Sequence, residues 1–147
     1  MLLHASTPQE KLTALTYLAN RLGERPEDLA GGIALQAMAF EIFGAVRGQQ
    51  LLGAIMFLNY RRQSIEFHLA GSPGWLSRGE IRTLFAYPFK HLNCLRLWCL
   101  IRRKNKPARV GAERLGFKVL GVAEDEFGEG RDGIIYSMKR SDCRWIR

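Results

Sequence analysis

Glu66 and His68 stand two residues apart in the run Ser64 to Ala70, which reads as a strand, so their side chains project from one face. A carboxylate and an imidazole so placed can move protons. The ordinary pKa of histidine is ~6.5, and a well-positioned general base is worth ~10²–10⁴ in rate. The competing reading is two polar residues on the solvated face of an antiparallel sheet. Next come Gly71-Ser72-Pro73-Gly74, a cluster of turn formers, and a helix beginning near Ser77. A glycine-bearing turn that enters a helix leaves backbone N–H groups free, and with the helix dipole they suit an anion. Gly74, Ser77, Arg78 and Gly79 occupy that place. A loop capped by serine needs no ligand, so both readings stand. The basic run Arg102, Arg103, Lys104, Lys106 and Arg109 is either a solvated cluster or a surface that receives phosphate.

The elements that must position these groups follow from periodicity. Thr7, Pro8 and Glu10 form a capping-box start with proline at the first helical position. Leu12, Leu15, Leu18, Ala19 and Leu22 then recur at helical spacing up to a stop at Gly23. Pro26 and Gly31-Gly32 make Glu24 to Gln36 a loop with room for one helical turn. Three antiparallel strands are expected at Ala39 to Arg47, Leu51 to Asn59 and Ser64 to Ala70, split by short polar turns. A second long helix, Ser77 to Leu92, should kink at Pro88, which lacks a donor and crowds the preceding turn. Leu95 to Ile101 is a continuous apolar run, as in a strand buried on both faces. A short helix, Lys106 to Leu115, ends at Gly116. Phe117 to Phe127 and Ile134 to Lys139 then form a hairpin around Gly128 to Gly133, and Ile134 to Lys139 is expected to be an exposed strand free to pair across a two-fold axis. The order predicts an α+β, three-layer fold: a mixed, mostly antiparallel sheet with helices on both faces.

Composition bounds the rest. The chain has 147 residues, 47% of them hydrophobic and 24% charged, which is one domain's worth of an ordinary globular protein. Lys plus Arg is 22 against 14 Asp plus Glu, a net charge of +8, and sixteen of the cations are arginine, which forks onto phosphate or carboxylate. An anionic ligand is therefore expected. The odd count of three cysteines, Cys94, Cys99 and Cys143, and the lack of a signal-like start point to a reduced, cytoplasmic protein. The cysteines and His4, His68 and His91 are too scattered for a metal site, and no apolar run approaches the ~18 residues of a membrane helix. Neither RNP-like aromatics nor helix-turn-helix spacing accompanies the charge, so nucleic acid is not an expected partner.

One segment is more specific. Asn105-Lys106-Pro107-Ala108-Arg109, followed by Glu113-Arg114-Leu115-Gly116-Phe117-Lys118 and Gly121, resembles a segment of the GNAT superfamily of N-acetyltransferases. The order of elements from Ala39 to Lys139 is similar too, with the usual first strand short or lost. Met138, Asp142-Cys143-Arg144-Trp145 and Tyr87-Pro88-Phe89 resemble a branch of small GNAT proteins of phages and prophages.

The resemblance implies acetyl-CoA as cofactor, held in the splay between the strands Ile65 to Ala70 and Leu95 to Ile101, and an amine-bearing acceptor as partner. The family's pyrophosphate loop falls on Gly74-Trp75-Leu76-Ser77-Arg78-Gly79, where Ser77 stands in place of a glycine and Gly74 in place of Gln or Arg. Glu66 matches the acidic residue that serves as base, with His68 beside it, and an N–H near Leu69 or Ala70 would polarise the acetyl carbonyl. Asn105 would orient the cofactor arm or cap its helix, and Arg109 would meet the phosphates. The proton donor departs from the pattern: Ala108 stands where relatives carry serine or tyrosine, leaving Tyr136 or Tyr87 as substitutes. Glu24, Glu27 and Asp28 hint at a cationic acceptor. The alternative is a GNAT-like fold without catalysis that binds protein or nucleic acid, or a phage component. A homodimer is compatible with either.

Overall fold

The computed structural model describes all 147 residues. Its strands are β1 (Leu2–His4), β2 (Phe40–Arg47), β3 (Gln50–Arg61), β4 (Ser64–Gly71), β5 (Arg96–Arg102), β6 (Lys118–Ala123) and β7 (Gly133–Lys139). They form one seven-stranded sheet in the order β1-β2-β3-β4-β5-β7-β6. The helices are α1 (Pro8–Leu22), α2 (Pro26–Ala30), α3 (Gly32–Ala37), α4 (Arg78–Ala86) and α5 (Lys106–Leu115). The first strand is thus short rather than lost. The sheet is mixed and mostly antiparallel: β4 and β5 run parallel, whereas β1 with β2, β2 with β3, β5 with β7 and β6 with β7 are antiparallel.

The chain divides into two compact units, residues 1–59 with 67–84, and residues 60–66 with 85–147. In the first, α1 starts where the sequence places it. Thr7 Oγ1 accepts the N–H of Glu10 at 3.1 Å and Glu10 Oε1 accepts that of Thr7 at 3.0 Å, which satisfies two orphan donors reciprocally. Leu15 and Leu18 of α1 are fully buried in a cluster with Phe40 and Ile42 of β2 and Ala54, Met56 and Leu58 of β3. The expected loop of Glu24 to Gln36 is instead two short helices. Pro26 stands at the first position of α2, where its missing N–H is harmless, and Gly31, at φ +86°, is both the end of α2 and the start of α3. Both residues are boundaries of helices here.

In the second unit, Phe85 packs against Phe89, Phe117 and Trp145 with ring centroids 6.0–6.4 Å apart. The long helix expected from Ser77 to Leu92 ends at Ala86 and continues as a π-helical turn, Tyr87–His91. Pro88 supplies no N–H, and the turn widens so that Leu92 N–H reaches the carbonyl of Tyr87, five residues back, at 3.0 Å. The backbone accommodates the proline by a change of helix type. Gln63 then ties the tip between β3 and β4 to the entry of β5: its carbonyl accepts the N–H groups of Leu95 at 2.7 Å and Arg96 at 3.3 Å. That sets the parallel register of Ser64, Ile65 and Glu66 opposite Arg96, Leu97 and Trp98.

Two further expectations change. The strand expected to reach Phe127 stops at Ala123, because Asp132 Oδ1 and Asp125 Oδ1 accept the N–H groups of Asp125 and Gly130 and fold the intervening residues into a turn. The strand Ile134 to Lys139 is not exposed. As β7 it lies between β5 and β6 and bonds to both, so it has no free edge with which to pair across a two-fold axis.

Candidate active site

In the first unit the loop from Ser72 to Ser77 is held by Trp75, which is 8% exposed. A Cβ on Gly53 of β3 would lie 2.0 Å from its ring, and one on Gly71 would lie 2.6 Å from it. Two glycines therefore make the seat for one indole, and Trp75 is the loop's anchor. Arg47 Nη2 also reaches the carbonyls of Gly74 at 3.5 Å and Trp75 at 3.4 Å. Ser77 then caps α4: its Oγ accepts the N–H of Glu80 at 3.2 Å, and Glu80 Oε1 accepts the N–H of Ser77 at 3.3 Å. This is a second capping box, Ser-x-x-Glu, legible in the sequence and missed there.

The expected anion cradle is thus partly filled by the chain itself. The carboxylate of Glu80 sits in the first turn of α4, 9% exposed, with Arg47 Nη2 at 3.6 Å. The first two N–H groups of the helix, those of Arg78 and Gly79, have no acceptor inside it. Both residues are exposed, and Gly74 has open space where a side chain would stand. Burial raises the pKa of Glu80, but the hydrogen bonds from Ser77 and the charges of the Met1 amino group and Arg47 outweigh it, so the value lies below the ordinary 4.5. A depressed carboxylate pKa contributes stability that is complete above the ordinary value and is lost as pH falls through the folded-state one. Denaturant titration should therefore show the wild-type chain losing more stability between about pH 6 and pH 3 than Glu80→Gln does. Parallel pH profiles for the two chains would refute this.

β4 carries Glu66, which is 8% exposed, and the half-buried His68, Leu69 and Ala70. The solvated-face reading therefore fails for Glu66. Its charge acts on the thiol of Cys99: burial first, and then the Glu66 carboxylate, push that thiol up to about 12. Cys99 is accordingly neutral and no nucleophile.

In the second unit, Asn105 is the N-cap of α5, with Oδ1 accepting the N–H of Ala108 at 3.3 Å. Its capping role is realised. Arg109 donates from Nε to the hydroxyl of Tyr136 at 3.0 Å and from Nη1 to the carbonyl of Arg103 at 3.1 Å. That Tyr136 bond, above all, raises the guanidinium pKa further. Tyr136 is fully buried and donates in turn to Glu113 Oε1 at 3.3 Å, so its phenol is a satisfied core group. Nothing in the sequence pairs Arg109 with Tyr136 and Glu113, since the link joins α5 to β7. Within the basic run, Arg103 pairs with Asp132 at 3.3 Å and Arg102 lies over the ring of Phe127 at 4.7 Å. Both are partly engaged.

Structure thus groups the sequence-predicted residues in two sets. His68, Leu69, Ala70 and Gly74 to Gly79 belong to the first unit, and Glu66, Asn105 and Arg109 to the second. The acidic hint of Glu24, Glu27 and Asp28 weakens, because Arg25 forks onto Asp28 at 2.9 and 3.2 Å and lies 3.6 Å from Glu27. No group of three or more His, Cys, Asp or Glu side chains gathers as a metal site would require. No helix is long and apolar enough to cross a membrane.

No family model matches the chain, and no curated protein does. Solved structures do match. The spermidine N-acetyltransferase of Vibrio cholerae, in complex with CoA and spermine, has a TM-score of 0.69 at 22% identity over 99% of this chain and 98% of that one. A chimera of the Vibrio cholerae enzyme and hSSAT gives 0.70 at 21%, covering 99% of both chains. A GNAT-family protein of Desulfovibrio desulfuricans gives 0.70 at 20%, covering 95% of this chain and 98% of that one. Element order, mixed sheet and near-complete coverage agree: the chain has the fold of the GNAT acetyltransferases.

Proposed function

We propose that the chain is an N-acetyltransferase that moves an acetyl group from acetyl-CoA to an amine. The observation that carries this reading is the likeness over nearly whole chains to an acetyltransferase seen with CoA and a polyamine. Acetyl-CoA supplies the acetyl group as an activated thioester. A C–N bond forms as the C–S bond breaks, the amine gives up a proton and the departing thiolate takes one.

Glu66 is the base that accepts the amine's proton, supported by its withdrawal from bulk water, and His68 on the same strand is the second candidate. The N–H groups of Leu69 and Ala70 face the acetyl carbonyl in this reading. The N–H groups of Arg78 and Gly79, the open backbone at Gly74 and the charge of Arg78 meet the pyrophosphate, while Trp75, Leu76 and Ser77 hold the loop's shape. Asn105 keeps the start of α5 in place, and Arg109, with two donors already engaged, gives its remaining N–H groups to the phosphates. All three cysteines are free thiols, which suits the reducing cytoplasm.

Calorimetric titration with acetyl-CoA tests the reading. Saturable binding at one site per chain is expected, with acetylated product appearing when a polyamine is added. Failure to bind at millimolar acetyl-CoA would sink it.

A further inference from the structure

The second unit contains a cavity of about 730 Å³ at the entry of β5 and the exit of β7. Four cations line it, Arg96, Lys139, Arg140 and Arg147, with Leu95 and Ile146 among its apolar surfaces and no carboxylate side chain. Arg96 and Lys139 are register partners across β5 and β7, so two charges are fixed side by side by the sheet itself. The N–H of Arg140 donates to the carbonyl of Leu95 at 2.9 Å, which fastens the next residue of the wall to the start of β5. The Arg96 guanidinium donates to Ser137 Oγ at 3.4 Å and lies 5.9 Å from the centroid of the Trp98 ring, one step further along the sheet, so Arg96 is the partly engaged member of the four.

The chain after β7 forms the far side. Arg144 Nη2 donates to the carbonyl of Arg114 at 2.6 Å and Trp145 Nε1 to that of Leu115 at 2.9 Å, which holds the segment carrying Ile146 and Arg147. Leu95 is 56% exposed, a large apolar surface beside concentrated positive charge. Water solvates four cations well but leaves that surface uncovered. The ligand that satisfies both is an anion carrying an apolar body. The cavity is an open groove, wide to solvent, whose volume lies within the roughly 300–1,000 Å³ usual for small-molecule sites. Asn105 lies beyond the other end of β5, roughly 20 Å away at ~3.3 Å per residue, whereas Glu66, in register with Trp98, stands two residues along the sheet from Arg96.

We propose that this cavity is a binding site for a small amphipathic anion, a phosphate or carboxylate on a short alkyl or aryl chain. Its head meets Arg96, Lys139, Arg140 and Arg147, and its tail covers Leu95 and Ile146. The proposal is independent of acetyl transfer.

Calorimetric titration of the whole chain with octyl phosphate, below the concentration at which it forms micelles, tests it. One site per chain is expected, at least tenfold tighter than for inorganic phosphate or for the uncharged octyl glucoside. Lys139→Ala with Arg140→Ala should weaken octyl phosphate at least tenfold, and Arg140→Glu alone should do the same. Both residues are exposed and the Arg140 N–H bond survives either change, so circular dichroism should show the variants folded. Failure to bind at millimolar octyl phosphate, or equal affinity in the folded variants, would overturn the proposal. So would binding to phosphatidylglycerol vesicles without binding to the soluble phosphate, which would make the cations a lipid-facing surface.

Discussion

Glu66→Gln is expected to lower the turnover of acetyl transfer by ~10²–10⁴, the value of a positioned general base, while leaving the affinity for acetyl-CoA within about threefold of wild type. Glutamine keeps the shape and hydrogen-bonding reach of the side chain but cannot take a proton. The loss should shrink as pH rises, because a greater share of the amine is then already neutral and needs no base. That pH dependence separates a base from a structural residue, which would lose activity equally at every pH. A thermal melt is the companion measurement, since Glu66 is 8% exposed and packing changes at such a site also affect stability. Cys99 provides the contrast. With its thiol held near 12 it carries no useful thiolate, so Cys99→Ser should leave turnover within about twofold. A Glu66→Gln chain that keeps more than a third of wild-type turnover would remove Glu66 from the mechanism and shift the test to His68.

What was legible in the sequence divides along a physical line. Features decided within one turn or one strand were readable: the Thr7-to-Glu10 capping box, the stop at Gly23, and α5 between Asn105 and Gly116; the strand β5 was readable too, but not its burial, since only Leu97 and Cys99 are buried and Leu95 lies outside it, exposed. Each depends on neighbours three or four residues away. Pairings set by topology were not. That β7 would lie between β5 and β6 does not follow from its own alternation, which is the same for a central strand as for one at a free edge. Tyr136 illustrates the same limit at the level of one atom. Its hydroxyl could be read as a proton donor or as a satisfied core group, and only the approach of Arg109 and Glu113 from α5 decides for the second.

A different kind of miss concerns signals that were present but assigned to something else. Ser77-Arg78-Gly79-Glu80 is a capping box by the same rule that places α1, at the helix start where the preceding glycines also suit an anion. The two readings are linked physically, because Glu80 uses the helix start that an anion would use. Proline and glycine also misled in Glu24 to Gln36, where breakers of one element are the caps of the next. The +8 charge, left partly unassigned by the acetyltransferase reading, finds four of its members around the cavity beside Arg96 and Lys139.

Gly53→Ala is the substitution expected to harm the fold most. An isolated glycine inside a strand weakens it unless something approaches the backbone closely, and here that is Trp75. A methyl on Gly53 would stand 2.0, 2.3 and 2.5 Å from three ring carbons, distances that no packed side chain tolerates. The indole cannot retreat toward Gly71, where the ring already lies 2.6 Å from the place of a Cβ and the carbonyl of Leu52 is as near. Either β3 distorts or the ring leaves its seat, and the second costs about 3–5 kcal/mol, the range for deleting a buried tryptophan. For a domain of this size that is a fall of roughly 10 °C in Tm. A double-mutant cycle distinguishes this cause from a general intolerance of strand β3. With Trp75→Leu already in place, the added methyl has no ring to meet, so Gly53→Ala should cost about 1 kcal/mol or less, and the two changes should be far from additive. Below its own Tm, the single variant should also bind acetyl-CoA at least tenfold more weakly, because Trp75 is what ties the Ser72 to Ser77 loop to the sheet. An unchanged Tm in Gly53→Ala, or additive costs in the cycle, would mean that the indole moves freely and that the loop takes its shape from Arg47 and the Ser77 cap alone.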